Sequence, residues 1–169
     1  MYSFNQVLND ISERCYEPNQ LAIQHVQEEV QNAEYGAGVF VLDSISVRFR
    51  VAKITPNKIG QFVVFWEKDM NNKNQAFSYK KATDVLVINT FADDHKVGQF
   101  VFPKEVLLQK NILRTASTNG KMAIRVYPAW DQPVSKQALA TQKWQLEYFV
   151  DLTDWSHVSV EKLLKLYFH

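Results

Sequence analysis

The sequence predicts an α/β chain with an α+β-like order of elements: a single mixed or mostly antiparallel sheet with flanking helices. Three observations carry that expectation. Apolar residues recur at helical spacing near both termini. Alternating or uniformly apolar runs crowd the middle, between residues 38 and 102 and again at 122–128. The 169-residue length suits one domain with a sizeable core. Strands that run together, with helices gathered at the ends, favour a sheet with helices packed on it.

Each element has its own signal. Ser3 can cap a first helix, whose Phe4, Val7, Leu8 and Ile11 form one apolar stripe. Pro18 suits the first turn of a second helix, with Ile23, Val26, Val30 and Ala33 as its buried stripe and Gly36 as its stop. GVFVL (Gly38–Leu42) is a short apolar strand. ISVRFRVAK (Ile45–Lys53) alternates, with Ile45, Val47, Phe49 and Val51 on one side and Arg48 and Arg50 on the other. TPNKIG is a turn, and QFVVFW (Gln61–Trp66) a strand buried on both faces. EKDMNNKNQ is a hydrophilic loop, followed by strand DVLVINT (Asp84–Thr90), loop ADDHKVG and strand QFVF (Gln99–Phe102). Pro103 can open a short helix through Leu108. MAIRVYP (Met122–Pro128) alternates again, with Met122, Ile124 and Val126 inward. SKQALATQKWQLEYFV reads as one long helix burying Leu139, Leu146, Phe149 and Val150, and a last helix near Val158–Phe168 buries Val160, Leu163, Leu164 and Tyr167.

Charge is unevenly spread. The net is only +1, yet residues 1–44 carry −6, residues 45–81 carry +6 and residues 96–126 carry +5. A basic middle between acidic or neutral flanks suggests an anionic partner, nucleic acid being the commonest, against the alternative of a solvated face of mixed charge. The acidic N-terminal part could contact a protein, or cover the basic face. The opening MYSFNQVLNDISER lacks the basic start and apolar run of a signal peptide, and no stretch is long and apolar enough for a membrane span. A cytoplasmic, soluble protein is expected. Cys15 is the sole cysteine, which excludes a disulfide framework or a thiolate metal cluster within one chain. His25, His95, His157 and His169 show no ligand spacing, so no metal site is expected.

One motif occurs twice: KIGQFV from Lys58 and KVGQFV from Lys96. A phosphate-gripping loop needs several glycines before Lys-Ser/Thr and then a helix, whereas here a single Gly leads into a strand. The pair reads as two turn-to-strand junctions, with Lys58 and Lys96 as neighbours at one rim of a cleft. A metal-dependent nuclease would need carboxylates for Mg²⁺ beside a lysine. Asp43 followed by Val51-Ala52-Lys53 has the spacing, but Val51 occupies the acid position; Glu67 and Asp69 are the remaining acids for that alternative. Without that alternative no cofactor is implied. The stronger signal is basic residues interleaved with aromatics: Arg48, Arg50, Lys53, Lys58, Lys104, Lys121 and Arg125 to contact phosphates, with Tyr127 and Trp130 to stack on bases.

The blocks RFRVAKITPNKIGQFVVFWEKD, GQFVFPKEVLLQKNIL, GKMAIRVYPAWDQPVSKQA and TQKWQLEYFVDL, in that order, resemble the MepB-like family of bacterial proteins. The resemblance spans residues 36–152, with a helical part at 1–35 before it and a C-terminal helix at 153–169 after it, in one domain of residues 1–169. It implies a restriction-endonuclease-like fold and a setting of multidrug efflux and stress resistance. The functional expectation is a non-catalytic nucleic-acid-binding protein for DNA, single strands being at least as well suited as duplex. The alternatives are a divergent nuclease and a protein- or ligand-binding adaptor linked to efflux.

Overall fold

The computed structural model describes residues 2–93 and 95–168. Asp94, in the expected loop at 92–98, and His169 lie outside the described residues. Eleven strands are present among them: β1 Ile23–Glu28, β2 Gly38–Leu42, β3 Ile45–Val51, β4 Lys53–Ile54, β5 Gln61–Val64, β6 Glu67–Lys68, β7 Asn74–Gln75, β8 Val85–Ala92, β9 Lys96–Pro103, β10 Ala123–Val126 and β11 Phe149–Asp151. Four α-helices accompany them: α1 Phe4–Ile11, α2 Lys104–Gln109, α3 Lys136–Gln145 and α4 Val160–Phe168.

The main sheet has six strands in the order β1-β2-β3-β8-β9-β11. It is mixed: β3 and β8 run parallel at its centre, and every other neighbouring pair is antiparallel. The parallel pair needs a crossover. That crossover carries the small sheet β10-β5-β4 (with β10 added later in the chain) and the hairpin β6-β7. Alternation along β8 then feeds two cores. Val85 and Val87 point into one core with Val47, Phe49, Val101, α1 and α4. Leu86 and Ile88 point into the other with Val63, Phe100, Phe102, Leu107 and Val126, beneath the small sheet, α2 and α3.

Local signals explain several elements. Ser3 and Gln6 cap α1 reciprocally: Ser3 Oγ accepts from Gln6 N–H at 3.2 Å, and Gln6 Oε1 accepts from Ser3 N–H at 3.4 Å. One π-helical turn, Ser12–Tyr16, then rotates Cys15 and Tyr16 into the first core. Tyr16 O–H and Tyr167 O–H meet at 2.7 Å, Tyr167 donates to Gln99 Oε1 at 2.6 Å, and Gln99 donates to Asn89 at 2.8 Å. Burial pushes both phenols well above their ordinary ionisation range.

The structure corrects two expected helices. The second helix is absent: Pro18 sits in a 3₁₀ turn, and residues 23–28 form strand β1 on the outer edge of β2. Val26 and Val30, assigned to a buried stripe, are 48% and 89% exposed. Without β1, the buried strand β2 would present an unpaired edge, so ladder hydrogen bonding outweighs a weak helical periodicity. A bulge between Gln24 and Gln27, with His25 at φ 56°, breaks that ladder. The long helix is also shorter: α3 ends at Gln145, a 3₁₀ turn follows, and Phe149–Asp151 pairs with β9. Leu139, within α3, is exposed and not on its buried edge. Smaller differences are the exposure of Met122 and of Val160 at the start of α4.

Candidate nucleic-acid interface

The small sheet aligns cations and rings across three strands. Arg125 on β10 lies opposite Phe62 on β5, and Phe62 lies opposite Lys53 on β4. The Arg125 guanidinium sits 5.8 Å from the Phe62 ring centroid. Lys53 Nζ sits 4.5 Å over Tyr35, and Tyr35 is edge-on to Phe62 with centroids 6.4 Å apart. The row therefore alternates charge and π-face, an arrangement worth a modest cation–π attraction at each step.

Beside this row, a cavity of about 520 Å³ opens between β10 and α3. Lys58, Lys110, Lys121 and Arg125 line it, together with Phe62, Tyr127 and Trp144; no carboxylate does among the described residues. Lys110 Nζ lies 5.1 Å over the Trp144 ring. The first turn of α3, capped by Ser135 Oγ accepting from Ala138 N–H at 3.1 Å, also faces the cavity and adds the positive end of its dipole. Two glutamines fix α3 to the strand beneath. Gln145 accepts from Tyr127 N–H at 2.9 Å and donates to Arg125 C=O at 3.0 Å, while Gln142 donates to Pro128 and Asp131 carbonyls. Gln145 is buried, so these bonds supply partners that water cannot.

The repeated motif has a structural answer. Gly60 stands at φ +86°, and a Cβ there would lie 2.7 Å from the Tyr127 ring. The glycine thus lets that ring close over the turn, and Arg125 donates to Gly60 C=O at 3.1 Å. Gly98 does the same for another ring: its Cβ would lie 2.4 Å from Phe149 and 3.0 Å from Trp130. Gln61 and Gln99 are both buried. Gln61 donates to Phe91 C=O at 3.0 Å. Asp131 lies near both copies of the motif: burial pushes its pKa up, while the charge of Lys96 and the Gly60 backbone pull it down.

Of the residues singled out in the sequence, Lys53, Lys58, Lys121, Arg125 and Tyr127 come together on this face. The others do not. Arg50 has no exposed surface: it donates to Glu29 at 2.7 Å, to Phe49 and Val64 carbonyls, and to Asn32 Oδ1. Burial lowers its pKa to about 10, against the attraction of Glu29. Arg48 shares the same Glu29 carboxylate at 3.1 Å and lies 3.7 Å over the Phe77 ring. These two arginines hold the second core together and are not free to grip phosphate. Alternation correctly places them on one face, but that face is covered by β5. Trp130 packs edge-on against Phe149 with its indole nitrogen buried, so it is not a stacking platform. Lys104 lies away from the groove, 5.2 Å over Tyr79.

The residues weighed for a nuclease are also separated. Asp43 forms the turn before β3, accepting from Ala22 N–H at 2.8 Å, whereas Lys53 follows the far end of that strand, roughly 20 Å away at strand rise. Lys53 instead pairs with Glu34 at 3.3 Å. Glu67 binds Arg114, and Asp69 accepts from Asn71 and Lys73 N–H groups. Lys110, Trp144, Phe62 and Tyr35 escaped the sequence reading. Only the basic-aromatic interleaving extended to KNIL and KWQ would have suggested the first two.

A mixed six-stranded sheet with four helices, bearing a groove lined by cations and rings beside the small sheet, defines an α+β protein. The MepB-like family profile matches residues 29–151, and the chain belongs to that family. It is similar to a solved structure described as "Crystal Structure of MepB", at 39% identity and a TM-score of 0.77, over 91% of this chain and 99% of the other. No curated protein matches it. Among the described residues, no helix is long and apolar enough to cross a membrane.

Proposed function

We propose that this chain is a non-catalytic nucleic-acid-binding protein whose ligand is DNA in single-stranded form. The observation that carries the reading is the groove between β10 and α3, where four cations and three rings meet with no carboxylate among the described lining residues. Lys58, Lys110, Lys121 and Arg125 contact phosphates; Tyr127 and Trp144 offer π-faces to bases. Rings inside a concavity can stack only on unpaired bases, which favours single strands over duplex. The restriction-endonuclease-like grouping implied by the resemblance fits this reading through the parallel β3–β8 pair at the sheet centre. Catalysis is not part of it, because Asp43, Glu67 and Asp69 are each engaged with other groups, away from Lys53.

Fluorescence anisotropy with single-stranded DNA, duplex DNA and RNA of one sequence, at 50 and 200 mM salt, tests the proposal. Four phosphate contacts on a single strand give a log–log salt slope of about −2.8, or roughly a fifty-fold loss of affinity across that range. Tyr127→Ala costs about 1–3 kcal/mol of binding if the ring stacks on a base. Absent binding, or binding indifferent to salt, refutes the proposal.

A further inference from the structure

The segment 110–121 has two working sides. Lys110, Ile112 and Lys121 line the groove just described, while Arg114, Thr115 and Ala116 line a second cavity of about 580 Å³. Ile112 and Arg114 are two residues apart, so lining residues of the two cavities lie within about 7 Å of each other along the chain. The second cavity is also cationic. Lys68, Lys80, Lys81 and Arg114 line it against Glu67 and Asp69. Both carboxylates are already engaged. Glu67 takes Arg114 at 3.5 Å and Gln75 at 3.4 Å, and Asp69 takes the backbone N–H groups of Asn71 and Lys73. Lys68, Lys80 and Lys81 are solvent-exposed, and the partly exposed Tyr79 ring lies in the same cavity, with Lys104 5.2 Å over it.

We infer that this second cavity continues the path of a bound single strand, so that long oligonucleotides cross segment 112–116 and engage both cavities. The inference rests on the function proposed above and extends it. Lys80 and Lys81 supply phosphate contacts that a short oligonucleotide held in the first groove cannot reach. Tyr79 offers a further ring. The protein thus reads strand length by charge, with no requirement for base sequence.

The test uses fluorescein-labelled deoxythymidine oligomers of about 4 and about 16 nucleotides, the range of single-strand site sizes. Wild type, Lys80→Ala/Lys81→Ala and Lys58→Ala/Lys121→Ala are compared at 50 and 200 mM salt. All four lysines are exposed, so the variants should fold. Lys58→Ala/Lys121→Ala weakens both oligomers. Lys80→Ala/Lys81→Ala leaves the short one unchanged and weakens the long one. Its salt slope for the long oligomer is shallower by about 1.4, so the wild type loses about sevenfold more affinity between the two salts. If Lys80→Ala/Lys81→Ala binds the long oligomer like wild type, the second cavity is no part of the path, and the first groove stands alone. If wild type binds neither oligomer, the proposed function fails and this extension with it.

Discussion

Replacing Glu29 by alanine isolates one buried carboxylate that serves two guanidinium groups. Arg50 is wholly enclosed, and Arg48 retains 16% of its side-chain exposure. Glu29 Oε1 takes both, at 2.7 and 3.1 Å, and its Oε2 takes Gln31 at 3.2 Å. With the carboxylate gone, Arg50 keeps its hydrogen bonds to Val64, Phe49 and Asn32 but has no counter-charge, and Arg48 repels it. Breaking such a pair costs about 3–5 kcal/mol, because an enclosed charge is left uncompensated. For a chain of this size that corresponds to a melting point lower by about 6–20 °C. Glu29→Gln keeps the acceptor oxygen and loses the charge, so its cost falls to about 1.5–3 kcal/mol. A triple replacement of Glu29, Arg48 and Arg50 by Leu, Met and Met removes every charge at once and should be more stable than Glu29→Ala. Urea unfolding at pH 7 with unchanged m-values measures all three. A loss under 1 kcal/mol for Glu29→Ala would refute the claim that these arginines are structural and return them to consideration as phosphate ligands.

Two further outcomes follow from single residues. Gly60→Ala forces a side chain into a left-handed turn and against the Tyr127 ring, so stability drops by about 1–3 kcal/mol and oligonucleotide binding weakens with it; Gly98→Ala crowds Phe149 instead and should reduce stability without altering the salt slope of binding. Calorimetry on both variants beside anisotropy separates the two glycines, and equal binding by Gly60→Ala and wild type would contradict the role given to that turn. Cys15 is enclosed in the first core, where burial pushes its thiol up from 9.0 to about 11. The folded state therefore holds the proton where the unfolded chain releases it, and stability is full below pH 9 and lost as pH rises towards 11. Between pH 8 and pH 10 the loss from this group is about 1 kcal/mol. Cys15→Ala should flatten that part of the stability–pH curve; an unchanged slope would show the thiol to be irrelevant to it.

Much of the fold was legible because its elements carry local signals. The capping box at Ser3, the alternation of β3 and the proline before α2 each fix an element without reference to distant residues. The failures share a cause. Residues 149–151 pair with β9, far back in the sequence, and residues 23–28 pair with the next strand, β2; in both cases the need of the neighbouring strand for a partner, and not local periodicity, decides the conformation. The interface was legible in part for the same reason. Lys53, Lys58, Lys121, Arg125 and Tyr127 lie on exposed turns and on a half-covered sheet face, so their chemistry shows in composition. Arg48 and Arg50 have the same composition, but the small sheet covers their face. No periodicity within β3 reveals that β5 will lie across it, or that Glu29, 21 residues before Arg50, will arrive to neutralise it.

The bulged strand β1 bears on how copies of this chain behave beside one another. It closes the outer margin of the main sheet, yet its own outer margin is kinked at Gln24–Gln27 and dressed with Gln, His and Glu. At the opposite margin β11 is only three residues long. Neither side offers the straight, continuous row of backbone donors and acceptors on which a neighbouring copy could build a further strand. Both margins of a sheet whose buried face also holds Arg50, Asn89 and Gln99 are thus poor templates for edge-to-edge pairing. Deleting one bulge residue would straighten β1 and leave that margin more open to pairing with another strand.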